Sequence, residues 1–321
     1  MTITENSVVN DIIKIDPDQQ ICIRNTEKID NNIESKGNKI HENLFCTEYV
    51  NSKNVLRDLS TFSIGRTIHF YKSVESTQTI ALSLAERQVA NLHGTVIVSE
   101  DQIKGRGRMG RKWISQHGGI YLSIILQPKI KITQSGILPL LSALCVSNVI
   151  KKMTKLNPKI KWPNDVVING RKVCGILLDI STEADKINFV IMGIGVNLNI
   201  NITKIGSDIK NFPGFYGITS IQNELHGKEI DKFEFIRLLL ENIEIYVTQL
   251  ENGGAKEIIQ QCKNISDTLG KAVIAKQSAE ILQGKAVDID ENDGFLLIEA
   301  PSGCIYKVVS GEVMGKNVKK K

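Results

Sequence analysis

The sequence is poor in aromatic residues, which make up 5% of its 321 positions, so a core must be built from Ile, Leu and Val. Its six cysteines, Cys22, Cys46, Cys145, Cys174, Cys262 and Cys304, contain no Cys-x-x-Cys, and its five histidines, His41, His69, His93, His117 and His226, contain no His-x-x-x-His. Those spacings argue against a dedicated zinc site, and a chain long enough to bury a real core is not a small disulfide scaffold. Scattered thiols without a secretory signal lead us to expect a reducing, cytoplasmic setting. Long apolar runs are also missing. The longest, Gly136 to Ile150, is interrupted by Pro139, Ser142, Ser147 and Asn148 and ends at Lys151 and Lys152, too short and too polar for a bilayer span. No convincing Ser-His-Asp order or Cys-His pair is present, so catalysis would be electrostatic and positional rather than covalent.

What is present is ordinary in amount and uneven in placement. Hydrophobic residues at 41% and charged residues at 23% are those of a globular protein, and the length suggests about two domains. Residues 1–60 hold 7 basic and 10 acidic side chains, residues 251–321 hold 10 and 10, and residues 61–250 hold 23 and 15. The positive field therefore belongs to the middle of the chain and suits an anionic ligand such as phosphate, nucleotide or nucleic acid. Residues 1–44 read as a flexible arm, since the first 40 contain no Phe, Tyr or Trp. Residues 45–265 read as a catalytic domain of mixed α+β type. Strands are expected at 67–72, 95–99, 120–126, 159–162 and 189–198, with helices from Ser76, over 136–153 and from Asp231 to about Leu250. Asn169-Gly170 between apolar runs signals a type I′ hairpin. From 266 to 321 short strands separated by Gly, Asp and Asn turns read as a small β-barrel with a basic tail.

The densest chemical signal is KGRGRMGRKW, residues 104–113. Gly105, Gly107 and Gly110 satisfy G-x-G-x-x-G, but a Rossmann loop must open a helix, and Trp113 is followed by a turn and a strand. Glycine instead lets the backbone close tightly over a ligand, and Arg106, Arg108 and Arg111 offer guanidinium forks to phosphate. A solvated basic loop or an RNA contact has the same composition. The second signal is KWPND, 161–165, with Lys172 and Gly175 beyond the hairpin. Pro163 breaks the strand and leaves Asn164 and Asp165 at its mouth, and the hairpin brings Lys172 back towards Asp165, as an anion-binding pair or as a surface salt bridge. Ser76, Thr77 and Gln78 are either a helix cap or a cluster of donors and acceptors for a small polar head group. Asn197, in GIGVNLN, either ends a strand or meets a nucleobase edge.

In order, SerThrGln, Gln102, GRGRMGRKW, KWPNDV, GRKVCGILLD and GIGVNLN resemble biotin protein ligase over roughly residues 60–317. The resemblance implies a mixed-sheet catalytic domain followed by a small SH3-like barrel. It implies ATP-dependent formation of biotinyl-5′-AMP and transfer of biotin to one lysine of a biotin carboxyl carrier protein, with Mg2+ carried mainly on the ATP phosphates. By motif position it places biotin on Ser76, Thr77, Gln78, Gln102, Arg106, Gly107, Arg108, Lys172 and Gly175. It places ATP on Gly105, Arg108, Arg111, Trp113, Asn164 and Asn197. Lys172, Arg106, Arg108 and Asp165 would carry catalysis, with Asp165 a further candidate for the metal. A homodimer is compatible with it. Repressor members of the family begin with a winged helix, whereas residues 1–60 here are acidic and lack that pattern, so DNA binding is not expected. The alternatives are a lipoate-type acyl ligase of the same fold and a nucleic-acid-binding module built on the Arg-Gly loop.

Overall fold

The computed structural model describes residues 13–15, 21–23, 58–87, 91–202, 217–277, 280–309 and 312–315. The main sheet has nine strands, β1 Ile13–Ile15, β2 Ile21–Ile23, β3 Thr67–Val74, β4 Val96–Gln102, β5 Ile120–Leu126, β6 Lys159–Lys161, β7 Asp165–Ile168, β8 Arg171–Glu183 and β9 Lys186–Val196, in the order β2-β1-β3-β4-β5-β9-β8-β7-β6. Among the described strands only the β3–β4 pair is parallel, and it encloses helix α1, Thr77–Glu86, as a crossover. β1 and β2 fall within the stretch expected to be an arm. The rest of that stretch and the basic tail lie outside the described residues.

The two faces of this sheet differ, and the difference is written in β5 and β9. Register pairs Tyr121 with Gly195, Ser123 with Gly193 and Ile125 with Ile191, and these residues share one face. The other face carries Ile120, Leu122, Ile124 and Leu126 opposite Val196, Ile194, Met192 and Val190, all buried in the main core. That core is closed by α2 Ile137–Thr154, α3 Ile221–Glu224, α4 Lys232–Glu251 and α5 Ala255–Asn264. α2 is apolar on nearly every side because sheet and helices surround it. At eighteen residues it would pass for a bilayer span by length and hydropathy, contrary to the sequence expectation, but 67% of it is buried inside the protein. The start of α4 is set by Asp231, whose Oδ1 accepts N–H bonds from Phe233 at 2.9 Å and Glu234 at 3.0 Å. On the glycine-bearing face α1 covers only one end, where Ala81 and Ala85 pack on Ile97, Ile125 and Ile191.

The second unit is an antiparallel sheet of β10 Ala272–Gln277, β11 Glu280–Ile289, β12 Leu296–Glu299, β13 Ile305–Val308 and β14 Glu312–Gly315, in the order β13-β12-β11-β10-β14. The strands are those of an SH3-like module, but among the described residues the two edge strands do not pair, so the sheet is open rather than a closed barrel. Trp162 joins the two units: its backbone N–H donates to Thr268 Oγ1 and its indole N–H to the Gly294 carbonyl, each at 2.9 Å.

Candidate active site

The uncovered end of the glycine face holds the candidate site. Gly175 on β8 pairs with Gly195 on β9, and Gly193 follows two residues before. Trp113 lies against this floor. A Cβ on Gly195 would stand 2.7 Å from its Cε2, and one on Gly175 would stand 2.8 Å from its Cζ3. Lys172 Nζ sits 5.3 Å from the indole centroid, within cation–π range. The floor is glycine because any side chain there would take the space of the indole.

The loop that carries Trp113 closes on itself through its backbone. Gly107 N–H donates to the Arg111 carbonyl at 2.7 Å and Trp113 N–H to the Gly105 carbonyl at 2.9 Å. Met109 and Gly110 turn the tip with φ of 56° and 72°. Gly105 is needed for close approach, since a Cβ there would lie 2.3 Å from the Trp113 carbonyl oxygen. Arg106 reaches Asp179 Oδ2 at 3.1 Å and Arg108 reaches Asn164 Oδ1 at 2.8 Å, so both guanidiniums turn towards the sheet. Arg111 is exposed.

One wall is built mostly from neutral polar groups. Ser76 stands at the cap position of α1 yet makes no cap bond, and its buried Oγ has no partner among the described residues. Thr77 N–H donates to Gln102 Oε1 at 2.9 Å, and Gln102 Nε2 donates to Ser115 Oγ at 2.9 Å. Gln78 Nε2 donates to the Ile191 carbonyl at 3.0 Å and to Asp179 Oδ2 at 3.2 Å. The opposite wall is charged. Asp165 and Lys172 face each other across the hairpin, with Oδ1 and Nζ 2.6 Å apart, close as an ion pair but not aligned as a hydrogen bond. Asn169 and Gly170 make that turn with φ of 51° and 73°, the signs a type I′ turn requires. Lys172 is fixed at the backbone too, donating to the Gly217 carbonyl at 3.0 Å and accepting from Thr219 N–H at 2.8 Å.

The site thus brings together Ser76, Thr77, Gln78, Gln102, Arg106, Trp113, Asp165, Lys172 and Gly175, with Arg108 and Asn164 at its edge. Asn164 spends both ends of its amide inside the protein, since Nδ2 also donates to the Ile176 carbonyl at 2.6 Å. Asn197 donates to the Thr219 carbonyl at 3.0 Å and so anchors the segment that holds Lys172. Sequence reasoning missed Ser123, Asp179, Gly193 and Gly195. Their signals were a serine inside the apolar IYLSIIL, an aspartate inside ILLDI and glycines two apart in MGIGV.

Residues 70–197 match the biotin/lipoate A/B protein ligase family, and residues 268–314 match the biotin protein ligase C-terminal domain. The bifunctional ligase/repressor BirA of Bacillus subtilis is 32% identical over 79% of this chain and 76% of its own length. This chain belongs to the biotin protein ligase family. The biotin--[acetyl-CoA-carboxylase] ligase of Paracoccus denitrificans is 31% identical over 71% of the chain and 92% of that ligase. Among solved structures, a biotin protein ligase from Aquifex aeolicus in complex with biotin and ATP superposes with a TM-score of 0.64 at 33% identity, covering 77% of this chain and 97% of that one. The family match spans Thr77, Gln102, the basic loop, Asp165, Lys172 and the glycine floor.

Proposed function

We propose that this protein activates biotin with ATP and attaches it to one lysine of a biotin carboxyl carrier protein. In the first step a carboxylate oxygen of biotin attacks the α-phosphorus of ATP. The bond from that phosphorus to the bridging oxygen breaks, pyrophosphate leaves and biotinyl-5′-AMP remains. In the second step the neutral amine of the acceptor lysine attacks the acyl carbon. AMP leaves with the bonding pair, the amine gives up a proton and an amide is formed.

The observation that carries this reading is the order of polarity along the slot. Thr77, Gln102 and Ser76 offer neutral hydrogen-bonding groups at one end. Glycine and indole make the middle. Lys172 supplies a cation at the other, and the basic loop adds Arg106 and Arg108 beside the slot. Biotin has the same order: a ureido group, an apolar ring and chain, and a carboxylate. Lys172 would draw the carboxylate and the α-phosphate together and stabilise charge as it builds on the phosphoryl oxygens. Asp165 would hold that ammonium at the mouth and receive the acceptor amine. Arg106 and Arg108 would close the basic loop over the mixed anhydride and keep water away. Arg111 and Gly105 would serve the nucleotide from the same loop, and Asn164 and Asn197 would shape its seat through the bonds described above.

ATP would bring Mg2+ with it. No group of three His, Cys, Asp or Glu side chains suited to a metal forms among the described residues, so the ion would rest on the phosphates, with Asp165 as a single protein contact. Two alternatives fit less well. Lipoate has no N–H for the oxygens at Thr77 and Gln102, and a nucleic-acid surface would turn Arg106 and Arg108 outward. Buried, unpaired thiols at Cys145, Cys174 and Cys262 suit a cytoplasmic setting. The test is exchange of labelled pyrophosphate into ATP. Biotin should switch it on, and exchange driven by lipoate or by neither acid would refute the reading.

A further inference from the structure

A buried chain of polar groups runs beneath the slot and includes two residues that the function above leaves unused, Ser123 on β5 and Asp179 on β8. Gln78 Nε2 lies 3.0 Å from the Ile191 carbonyl oxygen and 3.2 Å from Asp179 Oδ2. Both neighbours can only accept from it, so the amide nitrogen must point there and Oε1 must point away. Gly193 makes room for that oxygen, since a Cβ would stand 2.3 Å from it. Oε1 is 3.0 Å from Ser123 Oγ, which is 2.9 Å from Thr77 Oγ1, which is 3.2 Å from Gln102 Oε1.

Three oxygen–oxygen contacts share two hydroxyl protons. If Ser123 donated to Thr77 and Thr77 to Gln102, the buried Gln78 Oε1 would face a lone pair and lose its donor. If Ser123 donates to Gln78 and Thr77 to Ser123, the contact left without a proton is the longest of the three. Its acceptor, Gln102 Oε1, already holds the Thr77 N–H at 2.9 Å. If Ser123 donated to Gln78 and Thr77 to Gln102, the contact without a proton would be the 2.9 Å approach of the Ser123 and Thr77 hydroxyl oxygens, the shortest of the three, set lone pair to lone pair. The second arrangement leaves only the 3.2 Å contact without a proton and still satisfies every buried acceptor.

We propose that Asp179, Gln78 and Ser123 are positioning residues that commit the Thr77 hydroxyl proton to the protein interior, so that Thr77 Oγ1 and Gln102 Oε1 together form a seat for one substrate N–H. The inference rests on the biotin reading and deepens it: the seated group is a ureido N–H, and the polarity of the seat is set two residues away from the ligand. A carbonyl, an ether oxygen or a protonless ring atom placed there would meet two lone pairs.

The test is substrate discrimination in pyrophosphate exchange, comparing biotin with its two cyclic carbamate analogues, in each of which one ureido N–H is replaced by oxygen. The wild-type enzyme should prefer biotin over one of them by about 10³-fold or more in kcat/KM. Ser123→Ala frees the Thr77 hydroxyl to donate, so this ratio should fall by about tenfold or more. Ser123→Cys keeps a weak donor, and its ratio should lie between the two. If the alanine variant does not fold, the cysteine variant alone carries the comparison. Unchanged discrimination in a folded variant, even with a weaker KM for biotin, overturns the relay and leaves Ser123 as packing. Absence of any biotin-dependent exchange in the wild type overturns the biotin reading itself.

Discussion

Gly195→Ala tests whether the floor under Trp113 is where the substrate lies. The added Cβ would meet three indole atoms, Cε2, Nε1 and Cζ2, at 2.7, 2.8 and 3.0 Å. Ordinary contact begins near 3.5 Å, so the ring must withdraw by about 0.7 Å. The sheet cannot yield, because Gly195 is bonded between Tyr121 and Gly175 in a continuous ladder. Trp113 can, because it is only half-buried and sits at the end of the basic loop. Overpacking of this kind costs about 1–3 kcal/mol in a rigid core, and a mobile ring places the cost near the lower end. The melting temperature should therefore fall by only about 2–4 °C. Catalysis should suffer far more. The displaced ring takes with it the Gly105–Trp113 closure and the surface under Lys172, and a misplacement approaching 1 Å costs about 10²-fold in rate. Pyrophosphate exchange and scanning calorimetry on the same preparation separate the two effects. Wild-type kcat/KM in the variant would show that the substrate does not lie on this floor. A collapse in melting temperature would show that the glycine serves the fold.

Lys172→Ala should lower adenylate formation by about 10²-fold or more while biotin binding measured by calorimetry changes much less, because the cation acts on charge that develops in the reaction. Equal losses in both would make Lys172 a binding group only. Arg108→Ala removes the bond to Asn164 and should release adenylate early, so that biotin appears on bystander proteins. Strictly carrier-specific labelling would argue against a closing loop. Glu244 accepts N–H bonds from Phe62, Ser63 and Ile64 at 2.5, 2.6 and 2.8 Å. Burial pushes its carboxyl pKa up, but these bonds and the Ser63 hydroxyl together hold it below the usual range. A depressed folded-state pKa stabilises above the ordinary carboxylate value and is lost as pH falls through it. Glu244→Gln should thus cost about 1–2 kcal/mol at pH 7, less for its partial exposure, and little below the carboxylate range. An equal cost at both pH values in thermal melts would refute the assignment.

Much of the fold was legible because local chemistry and tertiary context agree. Ile120–Leu126 is a strand at the residues where the apolar run sits, Asp231 caps its helix, and the Asn169-Gly170 turn has the dihedrals its residues favour. Misjudged edges have a common cause. β4 continues past Ser99 through Glu100, Asp101 and Gln102, and β9 begins at Lys186, because pairing with a neighbouring strand holds polar residues in the ladder that propensity alone would release. The small SH3-like unit was legible in its strand spacing, which shows how many strands exist, while only pairing shows whether the last meets the first.

The site was legible where its members are close in sequence and hidden where only register unites them. Asp165 and Lys172 are two sides of one short hairpin, so turn arithmetic brings them together. Ser123, Asp179 and Gly193 lie on three different strands, and nothing local marks them as neighbours. MGIGV holds the general point. Read along the chain it is a strand weakened by two glycines. Read across the sheet, Met192 and Ile194 complete the core while Gly193 and Gly195 clear the opposite face for Gln78 and Trp113. A strand that gives up side chains on one face only, while the other stays tightly packed, gains nothing in stability from the exchange. The space so cleared is filled by a tryptophan from a cationic loop and bordered by a serine hydroxyl without a partner among the described residues.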